Sequence, residues 1–226
     1  MTVVTDATES AVPAGPAVRK TPRTRADALR NRERIVAAAR EMFVEYGPEA
    51  PLDEIARRAG IGNATLYRHF ADRQALLHDV LLSVMGRTME HAERVAVQHS
   101  DPFTALRDFA HMAVDERVGA LCGMLVGGPD RDSAELAAKG ERLEHAVEAL
   151  MERARQAGQL RPDVTVGDLL IALSLLTRPL PGLDCPNVDE VAHRHLQLFL
   201  DGLRSSTPSE LPGTATVLED LRRRAS

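Results

Sequence analysis

Apolar residues recur along this chain at three- and four-residue steps, and no stretch alternates in the two-residue step of a half-buried strand. The pattern predicts an all-α protein. From 28 to 46, Ile35, Ala38, Ala39, Met42, Phe43 and Tyr46 line one face of an amphipathic helix, which Gly47 and Pro48 end. A shorter helix over about 52–59 turns Leu52, Ile55, Ala56 and Ala59 inward behind Pro51. Gly60 then permits a left-handed backbone at little cost, and a third helix over about 63–69 buries Leu66 and Phe70 one turn apart.

Asp72 is placed to cap a fourth helix reaching to about 97, whose stripe of Leu76, Leu77, Val80, Leu81, Val84, Met85 and Met89 suits a connector between two bodies. Asp101 and Pro102 open a fifth, and VGALCGMLVGG over 118–128 reads as a buried helix ended by glycines. After the loop GGPDRD, a helix over about 133–157 carries Leu136, Leu143, Val147, Leu150, Met151 and Ala154. Thr165 with Asp168, and Asn187 with Glu190, form capping boxes before the last two long helices, about 165–178 and 188–203. The expected organisation is a disordered basic leader over 1–24, a three-helix head over 25–72, a helical body over 73–204 and a flexible tail over 205–226, in which VLEDLRRR is a candidate short helix.

Charge separates the two ends. The net charge is −5, yet residues 19–40 hold eight basic residues against Asp27 and Glu33, whereas residues 81–226 hold 16 basic and 22 acidic residues. The front of the chain suits a polyanion and the rest repels one. Acids and prolines occupy the N-terminus in place of a signal peptide's apolar core, and no apolar run reaches transmembrane length, so the expected location is the cytoplasm. Cys122 and Cys185 have no CxxC or Cys/His spacing and read as reduced thiols. His111 with Asp115 makes a single i, i+4 pair, and His193 and His195 fall on different sides of a helix, so no metal site is expected. The chain lacks a glycine-rich phosphate loop, HExxH and GxSxG, which argues against an enzyme, and no cofactor is implied.

IARRAGIGNATLYRHF, Ile55 to Phe70, is a helix, a tight turn and a second short helix. With Leu66 and Phe70 inward, Asn63, Ala64, Thr65, Tyr67, Arg68 and His69 line the remaining sides. Arg68 offers a fork for guanine O6 and N7, Asn63 pairs with adenine N6 and N7, and the methyls of Ala64 and Thr65 suit a thymine methyl. The hydroxyls of Thr65 and Tyr67 and the His69 imidazole suit phosphates, as does Arg73 at the start of the fourth helix.

Residues 28 to about 80, above all LDEIARRAGIGNATLYRHFADRQALL, resemble the N-terminal domain of TetR-family transcriptional regulators. The resemblance implies an all-helical homodimer with a three-helix DNA head and a body that binds a small-molecule effector and releases a palindromic double-stranded operator, most often as a repressor. Carried over by motif, it implies base or groove contacts from Asn63, Ala64, Tyr67 and Arg68, and phosphate contacts from Thr65, His69 and Arg73. The chain departs from the family pattern at Gly62, often a Ser or Thr that caps the recognition helix, at Ala64, often Gly, and at Arg73, often Lys.

No motif in the body names a ligand. Met85, Met89, Phe109, Met112, Cys122, Met124 and Met151 are the candidate pocket residues. Phe103, Phe109 and Phe199 are the only aromatics beyond residue 80, so a small or flexible apolar effector fits better than a cation in an aromatic cage. By analogy with the family, the last two long helices form the dimer core, with Leu169, Leu170, Leu173, Leu196 and Phe199 as candidates. Two other readings stand beside this one: a nonspecific nucleoid-type binder, with a steep salt dependence and little sequence preference, and a helical enzyme.

Overall fold

The computed structural model describes residues 22–127, 133–177, 188–204 and 209–216, with the side chains of 22–25, 122, 123, 125–127 and 188 excepted. Among the described residues stand nine helices: α1 (Pro22–Tyr46), α2 (Leu52–Arg58), α3 (Asn63–His69), α4 (Arg73–Gln98), α5 (Pro102–Asp115), α6 (Val118–Gly127), α7 (Ala134–Gln156), α8 (Val166–Leu176) and α9 (Val188–Leu203). No strand occurs among them. Outside the described residues or side chains lie the basic arm of Arg19, Lys20, Arg23 and Arg25, the loop over 128–132, Cys122, Cys185, the Asn187 cap and the VLEDLRRR segment.

Side chains that bind their own backbone set several helix starts. Asp72 accepts from the Ala75 amide at 2.8 Å, Asp101 from the Thr104 amide at 2.8 Å, and Ser133 from the Leu136 amide. At α8 the capping box is reciprocal, with Thr165 accepting from Asp168 and the Asp168 carboxylate accepting from the Thr165 amide at 2.9 Å. Each such cap contributes about 1 kcal/mol to its helix.

The apolar stripes meet in one continuous core. α4, α5 and α7 pack together at the centre of the body, α6 lies on α8, and α9 closes over α5 and α8. Gly119 makes the α6–α8 contact possible, since a Cβ there would meet the Ser174 Cα at 2.4 Å. α4 is 26 residues long, roughly 39 Å at 1.5 Å per residue, and packs on α1 of the head as well as on α5, α6 and α7. Leu76, Leu77, Val80, Leu81, Val84 and Met85 form its buried face, as the periodicity predicts.

Three expectations need correction. α1 begins at Pro22, so the end of the segment expected to be a leader is helical. Tyr46, placed inward by periodicity, is 62% exposed: α1 ends there, and Ala50, folded back by the Gly47 turn at φ 76°, is the buried residue at that end of the stripe. Residues 209–216 of the expected flexible tail are tied down. Arg161 donates to the Ser209 carbonyl at 2.7 Å, Thr165 donates its hydroxyl to the Thr216 carbonyl at 2.6 Å, and the Thr216 amide donates to Asp168 at 3.1 Å. Sequence periodicity carries no record of such contacts, which join residues about 50 positions apart.

The corner between α5 and α6 is the one described place where a residue other than glycine has a left-handed backbone, Arg117 at φ 54°. Glu116 beside it accepts from Arg40 of α1 at 2.5 Å and from Arg87 of α4 at 2.8 Å. Burial works against the Glu116 charge, but the two guanidinium groups outweigh it and hold the carboxyl below its ordinary range. Arg117 pairs in turn with Asp189 of α9.

Candidate nucleic-acid interface

α3 is held by its own apolar residues and by the turn before it. Leu66 and Phe70 are buried against the head core, together with Ile55, Ala56 and Ala59 of the preceding segment. Gly60 takes φ 65° and donates to the Arg57 carbonyl at 3.0 Å, after which the Ile61 amide donates to the Ala56 carbonyl at 3.0 Å. Any side chain at Gly60 would be strained, and its Cβ would also fall 2.6 Å from a guanidinium nitrogen of Arg34. Gly62 stands at the start of α3 with no side-chain cap, as its departure from the family pattern foretells.

The outer surface of α3 carries the predicted residues. Asn63, Ala64, Tyr67 and Arg68 are exposed, while Thr65 and His69 are half-buried. Arg68 donates to the Thr65 hydroxyl at 2.8 Å, so the two predicted contact residues satisfy each other in the free protein. The His69 imidazole is held below its ordinary range by burial first, and then by the charges of Arg32 and Arg68.

Arg73 is placed differently from expectation. Its Nη1 donates to the carbonyls of Pro48 at 3.1 Å and Ala50 at 2.8 Å, and lies 3.6 Å from the Glu49 carboxylate. The guanidinium therefore ties the start of α4 to the α1–α2 turn, because the carbonyls freed by that turn need donors. Arg32 is the residue the sequence reading passed over. Its guanidinium lies 4.6 Å from the centroid of the Phe70 ring, donates to the His69 carbonyl at 3.4 Å and pairs with Asp79 of α4. It fixes the end of α3 between α1 and α4. The available signal was a basic residue one turn before Ile35, at the edge of the apolar stripe.

In the body, Met85, Phe109 and Met151 are buried, and Met89, Met112 and Met124 are half-buried against the same core. A groove of about 160 Å³ lies between α4 and α7, lined by Ala92, Glu93, Ala96, Ala146, Leu150 and Arg153 among others, and none of the predicted pocket residues lines it. Of the dimer candidates, Leu169, Leu173 and Leu196 are fully buried within the protomer and so face its own core. Leu170 and Phe199 are half-buried. Among the described side chains, the exposed large apolar residues of α8 and α9 are instead Leu175 at 63%, Leu198 at 60% and Val191 at 38%. Among the described residues no group of three or more His, Cys, Asp or Glu is placed to hold a metal ion, and no helix is long and apolar enough to cross a membrane.

A short exposed polar helix, set by a glycine turn on a buried three-helix head, defines a helix-turn-helix DNA-binding protein. Residues 35–80 match the profile described as bacterial regulatory proteins, tetR family, and residues 101–205 match that of the SbtR-like transcriptional regulator C-terminal domain. The crystal structure of the TetR transcriptional regulator SCO0520 from Streptomyces coelicolor aligns with a TM-score of 0.58 and 31% identity, over 78% of this chain and 99% of that one. Among curated relatives, the HTH-type regulator TtgW of Pseudomonas putida is 45% identical over 62 residues, and the HTH-type transcriptional repressor BepR of Brucella suis is 29% identical over 146 residues. These matches take in 27% and 62% of this chain and span 46% and 58% of the two relatives, about half their length. The chain belongs to the TetR family and is a DNA-binding transcriptional regulator.

Proposed function

We propose that the protein is a homodimeric, cytoplasmic repressor that binds a palindromic operator through α3 and is released from it by a small-molecule effector. The head, residues 25–72, reads DNA, and the body, residues 73–204, dimerises and binds the effector. The observation that carries this reading is the exposure of Asn63, Ala64, Tyr67 and Arg68 on a helix anchored by buried Leu66 and Phe70. Rigid anchoring with polar groups outward is what groove recognition needs. Arg68 and Asn63 read bases, while Thr65, Tyr67 and His69 grip phosphates. Arg73 contributes its charge while holding the α1–α2 turn.

Dimerisation is supported by Leu175, Leu198 and Val191, exposed on two helices that pack against each other. One seven-residue helix spans few base pairs, and a twofold mate doubles the site read. Repression is carried over from BepR, which is named a repressor. The α4–α7 groove, at about 160 Å³, is smaller than the 300 Å³ or more of ordinary ligand sites, and on this reading the effector instead occupies a body opened around Met85, Phe109 and Met151. An effector that prefers the opened body shifts the equilibrium by its differential affinity, and α4 carries the change to the head.

Selection of the purified protein on a random duplex library at about 150 mM salt tests this reading, because that salt suppresses nonspecific phosphate binding. A palindromic consensus is the expected outcome. Failure to enrich any sequence, with the protein folded and dimeric, would overturn it in favour of a nonspecific binder.

A further inference from the structure

His111 of α5 and His193 of α9, far apart in sequence, stack with ring centroids 5.1 Å apart, and their Nδ1 atoms lie 2.8 Å from each other. The contacts continue at both ends. Nε2 of His193 lies 2.9 Å from Oδ1 of Asp115, and Nε2 of His111 lies 3.2 Å from Oε1 of Gln197. The Gln197 amide nitrogen donates to Asp201 at 2.7 Å. Five groups therefore form one hydrogen-bonded row across the α5–α9 seam.

Counting donors fixes the number of protons that this row requires. Asp115 and Oε1 of Gln197 only accept, so both Nε2 atoms carry hydrogens, and the Nδ1 pair needs one hydrogen between its two nitrogens. That makes three ring protons, one more than two neutral imidazoles hold. The orientation of the Gln197 amide follows from the same network, because turning it would set its oxygen against the Asp201 carboxylate.

Charged groups stand on the elements around the row. On α5, Arg107 stands one turn before His111 and Asp115 one turn after it. At the α5–α6 corner Glu116 is engaged by Arg40 and Arg87, and Arg117 by Asp189. On α9, Glu190 precedes His193, Arg194 adjoins it, and His195 bonds the Val191 carbonyl on its own helix. His99, just past the end of α4, meets Asp108 of α5, α7 pairs Arg155 with Glu148 and Glu152, and α8 commits Asp168 to Thr165 and Thr216.

We propose that the His111–His193 pair is a proton-operated latch that fastens α9 to α5 when the pair shares its extra proton and slackens the seam when that proton leaves. Without it, one contact of the row sets two acceptors face to face. Asp115 of the row adjoins Glu116, which holds Arg40 of the head helix α1, so the latch sits beside a tie to the DNA head. Its effect on DNA binding rests on the function proposed above, whereas the latch itself does not.

The test is a double-mutant cycle in denaturant unfolding of the full chain, at fixed concentration, for wild type, His111→Gln, His193→Gln and the double variant at pH 6 and pH 8, with EDTA. A latch that needs an extra proton to complete its hydrogen bonds couples the two residues more strongly at low pH than at high pH. The expected coupling is about tenfold in the unfolding equilibrium at pH 6 and no more than about twofold at pH 8. Equal coupling at both values, or coupling that EDTA abolishes, overturns the latch. Should the variants not fold, nitrogen-15 histidine spectra of the wild type decide: three ring protons on the pair at pH 6 are expected, and two neutral tautomers overturn the proposal. If the cycle passes and operator affinity in the variants keeps the wild-type pH dependence, the latch stands and its regulatory role falls.

Discussion

Arg68 occupies an exposed position and spends its guanidinium on the neighbouring Thr65 hydroxyl, an arrangement that leaves it free to exchange that partner for a base edge. Arg68→Ala is expected to cost about 1–3 kcal/mol of operator binding and to relax preference at one base per half-site, with folding stability changed by no more than about 0.5 kcal/mol. Affinities for operators varied base by base check this; equal weakening on every sequence would reassign Arg68 to phosphate. His69 gives a prediction of the other kind. Burial and two flanking guanidinium groups depress its imidazole below the ordinary 6.5, so around and below that pH the folded chain binds fewer protons than the unfolded one. Its contribution therefore lowers stability as pH falls through the depressed range. In His69→Gln, unfolding midpoints measured from pH 8 down to pH 5 should drop less than in wild type.

The elements themselves were legible because helix signals are local. The periodic stripes of α1 and α4, the Gly60 turn, and the caps at Asp72, Asp101 and Thr165 are written within a few residues of where they act. What the sequence hid are contacts between residues far apart in it: Arg73 on the α1–α2 turn, Arg32 on Phe70, and Thr216 on the start of α8. The last of these has a clear test. Gly167 is buried beneath the returning tail, and a Cβ there would fall 2.1 Å from the Thr216 carbonyl oxygen. Gly167→Ala is expected to displace Thr216 and break its bonds to Thr165 and Asp168, a local loss of about 2 kcal/mol for two hydrogen bonds. Amide hydrogen exchange at Thr216 should rise about tenfold or more while the α4 core stays protected; unchanged exchange would mean that the tail is held elsewhere.

At the scale of the whole molecule, the proposed dimer needs a surface on which a second copy can sit. The analogy with the family nominated Leu169, Leu173 and Leu196 among others, and periodicity could not separate that reading from internal core, since a stripe of leucines marks a buried face without saying whether the protomer or its partner does the burying. These residues are enclosed by their own chain. Leu175 and Leu198 are not, and each leaves a large apolar side chain in water on helices that adjoin, with Val191 one heptad before Leu198 on the same face of α9. A twofold axis on this seam would set each exposed leucine near its own counterpart or its neighbour's, so a charge introduced there is repelled by its copy. Leu198→Glu is therefore expected to leave the fold of the protomer intact, because the side chain is 60% exposed, and to shift sedimentation from dimer to monomer at micromolar concentration. A single head then meets a single half-site, so affinity for the full palindrome should fall at least about a hundredfold while affinity for an isolated half-site is unchanged. A variant that stays dimeric and keeps full operator affinity would place the interface off the α8–α9 seam.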